Sequence, residues 1–205
     1  VLINGGPLAV TWADAHLPAI LEAWYPGEEG GSAIADVLSG DYNPAGRLPI
    51  TVYRANSDLP DFRDYRMINR TYRYFTGQPL YPFGHGLSYT QFAYRDLRLS
   101  GDRLPEGETL TVCVEVMNMG TRAGDEVVQL YITDLEASVR VPLRTLQGFR
   151  RIHLDAGERM EVMFTLTREQ FTLVDEAGVR RLEPGEFEIS LGGGQPGLTA
   201  AHVRC

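Results

Sequence analysis

The residue types that do chemistry are present, but their spacing suits little of it. Cleaving a glycosidic bond calls for two carboxyl groups facing each other across the substrate, roughly 5 to 10 Å apart. Glu28 and Glu29 adjoin one another in Trp24-Tyr-Pro-Gly-Glu-Glu-Gly-Gly31, and neighbours in sequence cannot flank a substrate. Acids just before a helix are instead stabilised by its positive N-terminal end. The glycines beside them let the backbone approach another domain closely. Neither Gly84-His-Gly-Leu-Ser88 nor Gly30-Gly31-Ser32 follows the G-x-S-x-G order of a nucleophile elbow. His16, His85, His153 and His202 are scattered, without metal-ligand spacing. Gly192-Gly193-Gly194 ends a predicted strand and does not join strand to helix, so it cradles no phosphate. Asn69-Arg70-Thr71 matches the glycosylation triplet, which is frequent by chance. No residue is assigned a catalytic role, and no metal or cofactor is expected.

One constellation remains, the aromatic and charged run Arg70-Thr-Tyr-Arg-Tyr-Phe75 with its acidic, arginine-rich approach. Tyr72, Arg73 and Asp64 are its candidates for holding a polar, planar-faced ligand such as a sugar. The simpler reading is that they tie two domains together, their apolar stems lying over an interface.

The elements that must position these residues divide the chain into three stretches. Residues 1–54 alternate strand and helix. Val1–Ile3 reads as the end of a buried strand, which needs neighbours on both faces, so the natural protein is expected to continue upstream. Asp14 is placed to cap a helix carrying Leu17, Ile20, Leu21 and Trp24 on one face. Ser32 starts a second helix with Ala33, Ile34, Val37 and Leu38, which Gly40 stops, and Leu48–Tyr53 reads as a strand. Residues 55–90 show no period and are rich in Asp, Arg, Tyr, Pro and Gly, as in a functional loop or wrapping linker. From residue 91 the period becomes two: Leu110, Val112, Val114 and Val116 alternate with Thr111, Cys113, Glu115 and Met117. Val127–Thr133, Leu146–Ile152, Arg159–Leu166 and Glu186–Leu191 are further strands, giving an antiparallel β-sandwich over 91–205.

Composition narrows the partners. The net charge of −8 comes from dispersed acids, whereas nucleic acid binding wants clustered Lys and Arg, so no nucleic acid partner is expected. No stretch approaches the roughly 18 apolar residues of a membrane helix, so no membrane partner is expected either. Cys113 and Cys205 are the only cysteines, one within a predicted strand and one terminal, which argues against a disulfide framework and leaves the compartment open.

Several runs, in order, resemble glycoside hydrolase family 3. Asn4-Gly-Gly-Pro-Leu8, Ala19-Ile-Leu-Glu-Ala-Trp-Tyr-Pro-Gly-Glu-Glu-Gly-Gly31 and Gly40-Asp-Tyr-Asn-Pro-Ala-Gly-Arg-Leu-Pro49 are similar to the end of that family's α/β sandwich domain. Thr71-Tyr-Arg-Tyr-Phe75 and Tyr81-Pro-Phe-Gly-His-Gly-Leu-Ser-Tyr-Thr90 resemble its connecting segment. Gly124-Asp-Glu-Val-Val-Gln-Leu-Tyr131, Leu146-Gln-Gly-Phe-Arg-Arg151 and Pro184-Gly-Glu-Phe187 resemble its fibronectin type III-like domain.

The resemblance implies a fold made of an α/β fragment followed by an all-β immunoglobulin or fibronectin III-like sandwich. It also implies an exo-acting, retaining β-glucosidase or β-xylosidase, with β-linked oligosaccharides or glycosides as partners and a periplasmic or extracellular setting. In that family an aspartate nucleophile lies on an upstream barrel domain, and a glutamate acid/base lies on the α/β sandwich domain. No residue here matches either motif, so this chain alone is expected to be inactive, with the missing barrel as its partner. A carbohydrate- or protein-binding sandwich is the alternative. It would expose a row of Trp or Tyr, whereas Trp12 and Trp24 lie outside the predicted sandwich.

Overall fold

The computed structural model describes residues 1–195 and 199–204. It opens with β1 (Leu2–Ile3), α1 (Thr11–His16), β2 (Leu21–Glu22) and α2 (Gly30–Ser39). Strands β1 and β2 pair in parallel, with Leu21 N–H donating to Val1 O (2.8 Å) and Ala23 N–H to Ile3 O (2.9 Å). The expected helix over Asp14–Trp24 is therefore wrong. Asp14 sits inside a six-residue helix that stops at His16; after it Leu17 is extended, Leu21 lies in β2 and Trp24 takes a left-handed φ of 53°. The cause is Pro18, which drives the preceding Leu17 out of the α region, to φ −119° and ψ 141°. Of the four apolar residues that suggested a helix, only Leu21 falls in a strand.

Helix α2 starts two residues earlier than Ser32 and ends at Gly40 as expected. Gly40 takes a left-handed φ of 86° and donates its N–H to Asp36 O and Val37 O. Of its five apolar residues only Ile34 and Val37 are half-buried, while Ala33, Ala35 and Leu38 are exposed. No strand forms over Leu48–Tyr53. Pro49 lacks an N–H, so this stretch meets the Leu80–His85 stretch at two separate points: Leu48, whose N–H donates to His85 O (2.8 Å) and whose O accepts Gly84 N–H (2.7 Å), and Val52, whose N–H donates to Tyr81 O (2.9 Å) and whose O accepts Leu80 N–H (2.8 Å). Between them the chain forms a 3-10 turn at Asn56–Asp58 and the short helix α3 (Thr71–Tyr74).

The remainder is mostly strand: β3 (Phe92–Leu99), β4 (Leu110–Asn118), β5 (Gly124–Asp134), β6 (Thr145–Leu154), β7 (Arg159–Leu166), β8 (Leu173–Val174), β9 (Arg180–Arg181), β10 (Glu186–Gly192) and β11 (Thr199–Arg204). One sheet has the order β11-β10-β5-β6 and the facing sheet β3-β4-β7, with β8 and β9 a small separate hairpin. Alternation builds the core. Leu110, Val112, Val114 and Val116 of β4 point inward with Val162 and Leu166 of β7, against Val128, Leu130, Ile132, Ile189 and Leu191 of the other sheet. Phe171, on a 3-10 turn, and Leu104 close the ends. Strand β11 escaped the sequence reading because Thr-Ala-Ala-His-Val-Arg has only one large apolar residue. Cys113 is a free, half-buried thiol on β4, and Cys205 lies outside the described residues. No helix among the described residues is long and apolar enough to cross a membrane.

Strand β5 departs from simple alternation, being buried on both faces from Val128 to Ile132. Leu130 occupies its core face with no exposure. Leu130→Ala should therefore lower the unfolding free energy by about 3 kcal/mol, seen as a lower urea midpoint with an unchanged slope. A loss below about 1 kcal/mol would mean that β5 is not the central strand of the core.

Candidate functional site

The second face of β5 is covered by the segment that carries the candidate residues, and polar contacts fix it there. Gln129 Nε2 donates to Gly84 O (3.0 Å) and Gly193 O (3.0 Å), and Tyr131 Oη donates to Gln129 Oε1 (2.5 Å). Gly84 has φ +81°, and a Cβ there would collide with Gln129 Oε1, so both backbone and space demand glycine. Beside this contact lies a buried ion pair. Arg47 Nη2 donates to Glu126 Oε2 (3.0 Å), with side-chain exposures of only 9% and 4%. Arg47 also donates to Gly193 O (3.2 Å), Ala45 O (3.2 Å) and Gly46 O (3.1 Å). Tyr94 Oη donates to Glu126 Oε1 (3.1 Å), and burial together with that carboxylate pushes its phenol well above the usual tyrosine range. The glycine run at 192–194 thus has a structural use, since Gly193 supplies an acceptor to two side chains.

A second set of contacts holds the end of α2. Asn43 Nδ2 donates to Ala123 O (3.0 Å), while its Oδ1 accepts from Ser88 Oγ (2.9 Å) and Tyr89 N–H (2.7 Å). Arg151 donates through Nε to Asp125 Oδ2 (2.7 Å) and through Nη2 to Tyr42 Oη (2.8 Å). His153, directly across from Asp125 on β6, lies 2.6 Å away through Nδ1. Burial works against the Asp125 carboxylate, but hydrogen bonds from His153 and Arg151 outweigh it and hold the carboxyl below its ordinary value. Hydrogen bonding to Asp125 raises His153 in turn.

The three predicted ligand-holding residues are not gathered into one pocket. The Tyr72 ring stacks on Phe83 (4.4 Å between centroids), meets Tyr131 edge-on at 6.2 Å, and its Oη accepts Leu146 N–H (3.1 Å). Arg73 accepts Leu143 N–H through its carbonyl (2.7 Å), leaving its guanidinium exposed at the mouths of two cavities. Asp64 lies further out, in a loop wound around Arg70, whose Nη2 donates to Asp64 O (2.5 Å) and Asp61 O (3.1 Å). Arg66 hydrogen-bonds the Asp64 carboxylate and lowers it to about 2. The loop turns Phe62 and Tyr65 outward, 91% and 89% exposed.

Between this loop and the start of the chain runs a groove of about 490 Å³ lined by Leu8, Ile50, Tyr53, Met67 and Phe83, with Tyr72 and Arg73 at one end. No Asp or Glu lines it, so it can seat an aromatic or apolar face but cannot supply the paired carboxyls of glycoside hydrolysis. Glu28 and Glu29 precede α2, with Glu29 Oε2 accepting from Ser32 Oγ (3.2 Å), as expected of acids at a helix start. His85 is lowered first by burial and then by Arg47, and stacks on Tyr81 at 5.0 Å. No group of three or more His, Cys, Asp or Glu among the described residues could hold a metal ion. Sequence reasoning missed Arg47, Glu126 and Gln129. The signal was available, because Glu126 and Gln129 interrupt an otherwise apolar strand.

Comparison with known proteins accounts for nearly the whole chain. Residues 1–89 match the glycosyl hydrolase family 3 C-terminal domain, and residues 126–195 match a fibronectin type III-like domain. A periplasmic β-glucosidase of Salmonella typhimurium is 42% identical over 204 residues, covering 94% of this chain and 27% of the relative. A xylan 1,4-β-xylosidase of Xylanibacter ruminicola is 42% identical over 190 residues, covering 92% of this chain and 22% of the relative. Among solved structures, β-glucosidase 3B from Thermotoga neapolitana, in complex with α-D-glucose, superposes with a TM-score of 0.90 at 34% identity, over 100% of this chain and 30% of that one. The chain therefore spans about a quarter of the length of the curated relatives it matches.

The Asp125–His153 contact carries a pH dependence whose sign follows from the two shifts. The His153 contribution is full below its ordinary value of 6.5 and is lost as pH rises through the raised folded value. The Asp125 contribution is present above 3.8 and is lost as pH falls through its lowered folded value. The contact is thus strongest between those two limits. In an NMR titration His153 should show a midpoint above 6.5, and Asp125→Asn should bring it back down; a midpoint at or below 6.5 in the unaltered chain would contradict the contact.

Proposed function

Because the chain belongs to glycoside hydrolase family 3, carrying its C-terminal domain and a fibronectin type III-like domain, we propose that it is the C-terminal part of an exo-acting, retaining β-glycosidase. The full enzyme would remove terminal, non-reducing β-D-glucose or β-D-xylose from glycosides and short oligosaccharides. The observation that carries this is the agreement of two relatives named for those two activities, each 42% identical across more than nine-tenths of the chain. Residues 1–54 would form the end of an α/β sandwich domain, 55–90 the connecting segment and 91–205 the terminal sandwich.

In this reading the aspartate nucleophile and the glutamate acid/base belong to parts of the enzyme other than this chain, and this chain contributes shape. The carboxylate-free groove and the outward Phe62 and Tyr65 support it, since apolar surface of that kind marks a contact with another body. Leu8, which lines the groove, and Trp12 and Tyr25 are exposed as well. Tyr72 and Arg73 then act as braces between segment and sandwich, and Asp64 as an ionised acid on the loop rim.

Incubated with nitrophenyl β-D-glucoside or β-D-xyloside, the 205-residue chain alone should release no nitrophenol above the buffer rate, whereas the full-length product should turn over at least one of them. Turnover proportional to the concentration of the isolated chain, or a full-length product inert on both glycosides, would contradict the reading.

A further inference from the structure

A second cavity, of about 380 Å³, lies where α3, the stretch before β6 and the β8–β9 hairpin meet, within the roughly 300–1,000 Å³ range of small-molecule sites. Three guanidiniums border it, those of Arg73, Arg140 and Arg180. The chain has no lysine, so all its side-chain cations other than histidine are such planar forks. Among the described residues, nine of the sixteen other arginines meet a carboxylate. None of the three at the cavity does so among the described residues. Arg180 Nη1 donates only to Thr172 Oγ1 (3.1 Å), and the Arg140 guanidinium lies 5.7 Å over the Tyr74 ring.

Two acids share the lining, Asp134 and Glu169. Asp134 is turned to its own chain, its Oδ1 accepting Glu136 N–H (3.1 Å). That leaves three cations against two carboxylates, of which Glu169 is the outward one, in a chain whose net charge is −8. Gln147, Gln170 and Thr145 add neutral donors and acceptors, and Phe171 and Phe187 supply an apolar floor. Guanidinium forks match a carboxylate in geometry, amides and hydroxyls match sugar hydroxyls, and an aromatic face matches the apolar side of a pyranose ring.

We propose that this cavity binds an acidic sugar, with the carboxylate of a uronic acid held by Arg140 and Arg180 and its ring against Tyr74. The inference stands independently of the glycosidase reading, because it invokes no hydrolysis and no residue outside this chain.

The test is an NMR titration of the chain with D-glucuronate, with D-glucose and with sodium sulfate in parallel. Glucuronate should shift the amides of Leu143 to Gln147 and Gln170 to Thr172 saturably, glucose should leave them unmoved, and raising salt should weaken binding. Arg180→Gln should weaken binding by roughly tenfold or more, the loss of one charge-assisted contact. Glu169→Gln should strengthen it, a result that impaired folding cannot imitate. Glucuronate acting no better than glucose, Arg180→Gln binding unchanged, or sulfate matching glucuronate so that the site takes an adventitious ion only, would each overturn the proposal.

Discussion

The ion pair between Arg47 and Glu126 is the contact on which the arrangement depends. A carboxylate on the inward face of a strand is tolerable only when it is neutralised and its oxygens are hydrogen-bonded. Glu126 meets both conditions, with Arg47 on one oxygen and Tyr94 on the other. Arg47 comes from the first stretch of the chain, Tyr94 from one sheet, Glu126 from the other, and Gly193 from the end of β10. One buried charge therefore requires four distant pieces of sequence to be in place together. The Gln129–Gly84–Tyr131 contacts continue the same seam along the outer face of β5.

This seam explains why β5 is buried on both sides and why residues 80–86, though irregular, are buried or half-buried. Pro82, Gly84 and Gly86 disfavour a regular strand, but Gly84 presents its backbone carbonyl to Gln129 Nε2, which needs an acceptor. The sandwich thereby becomes a rigid base. From it the loop around Arg70 projects Phe62 and Tyr65, and beside it opens the carboxylate-free groove. The groove accordingly offers support and recognition. Proton transfer to a glycosidic oxygen needs a carboxylic acid aimed into a cleft, and the groove has none.

The sandwich was largely legible in the sequence because period-two alternation is a direct imprint of a half-buried strand, as in Leu110 to Val116. The first 54 residues were less so. Their apolar residues fit a helical spacing by coincidence, and Pro18 decided between the two readings through the backbone of Leu17. Pro49 similarly broke the expected strand at Leu48–Tyr53. What sequence pattern cannot reveal is which distant polar residues will meet. Arg47 and Glu126 lie 79 positions apart, with no local periodicity linking them. Likewise, Tyr72 and Arg73 stood out as chemically able residues, while their contacts with Phe83, Leu143 and Leu146 emerge only in three dimensions.

A double-mutant cycle across the seam is the direct measurement. Urea unfolding of the unaltered chain, Arg47→Met, Glu126→Gln and the double variant yields the coupling between the two side chains. Each single change should cost about 3 kcal/mol, because it strands the partner in a buried site. The double change should cost little more than either alone, with both halves of the chain still unfolding in one transition. Additive losses below about 0.5 kcal/mol each, the range of surface substitutions, would contradict the account, for the pair would then not be what holds the two regions together.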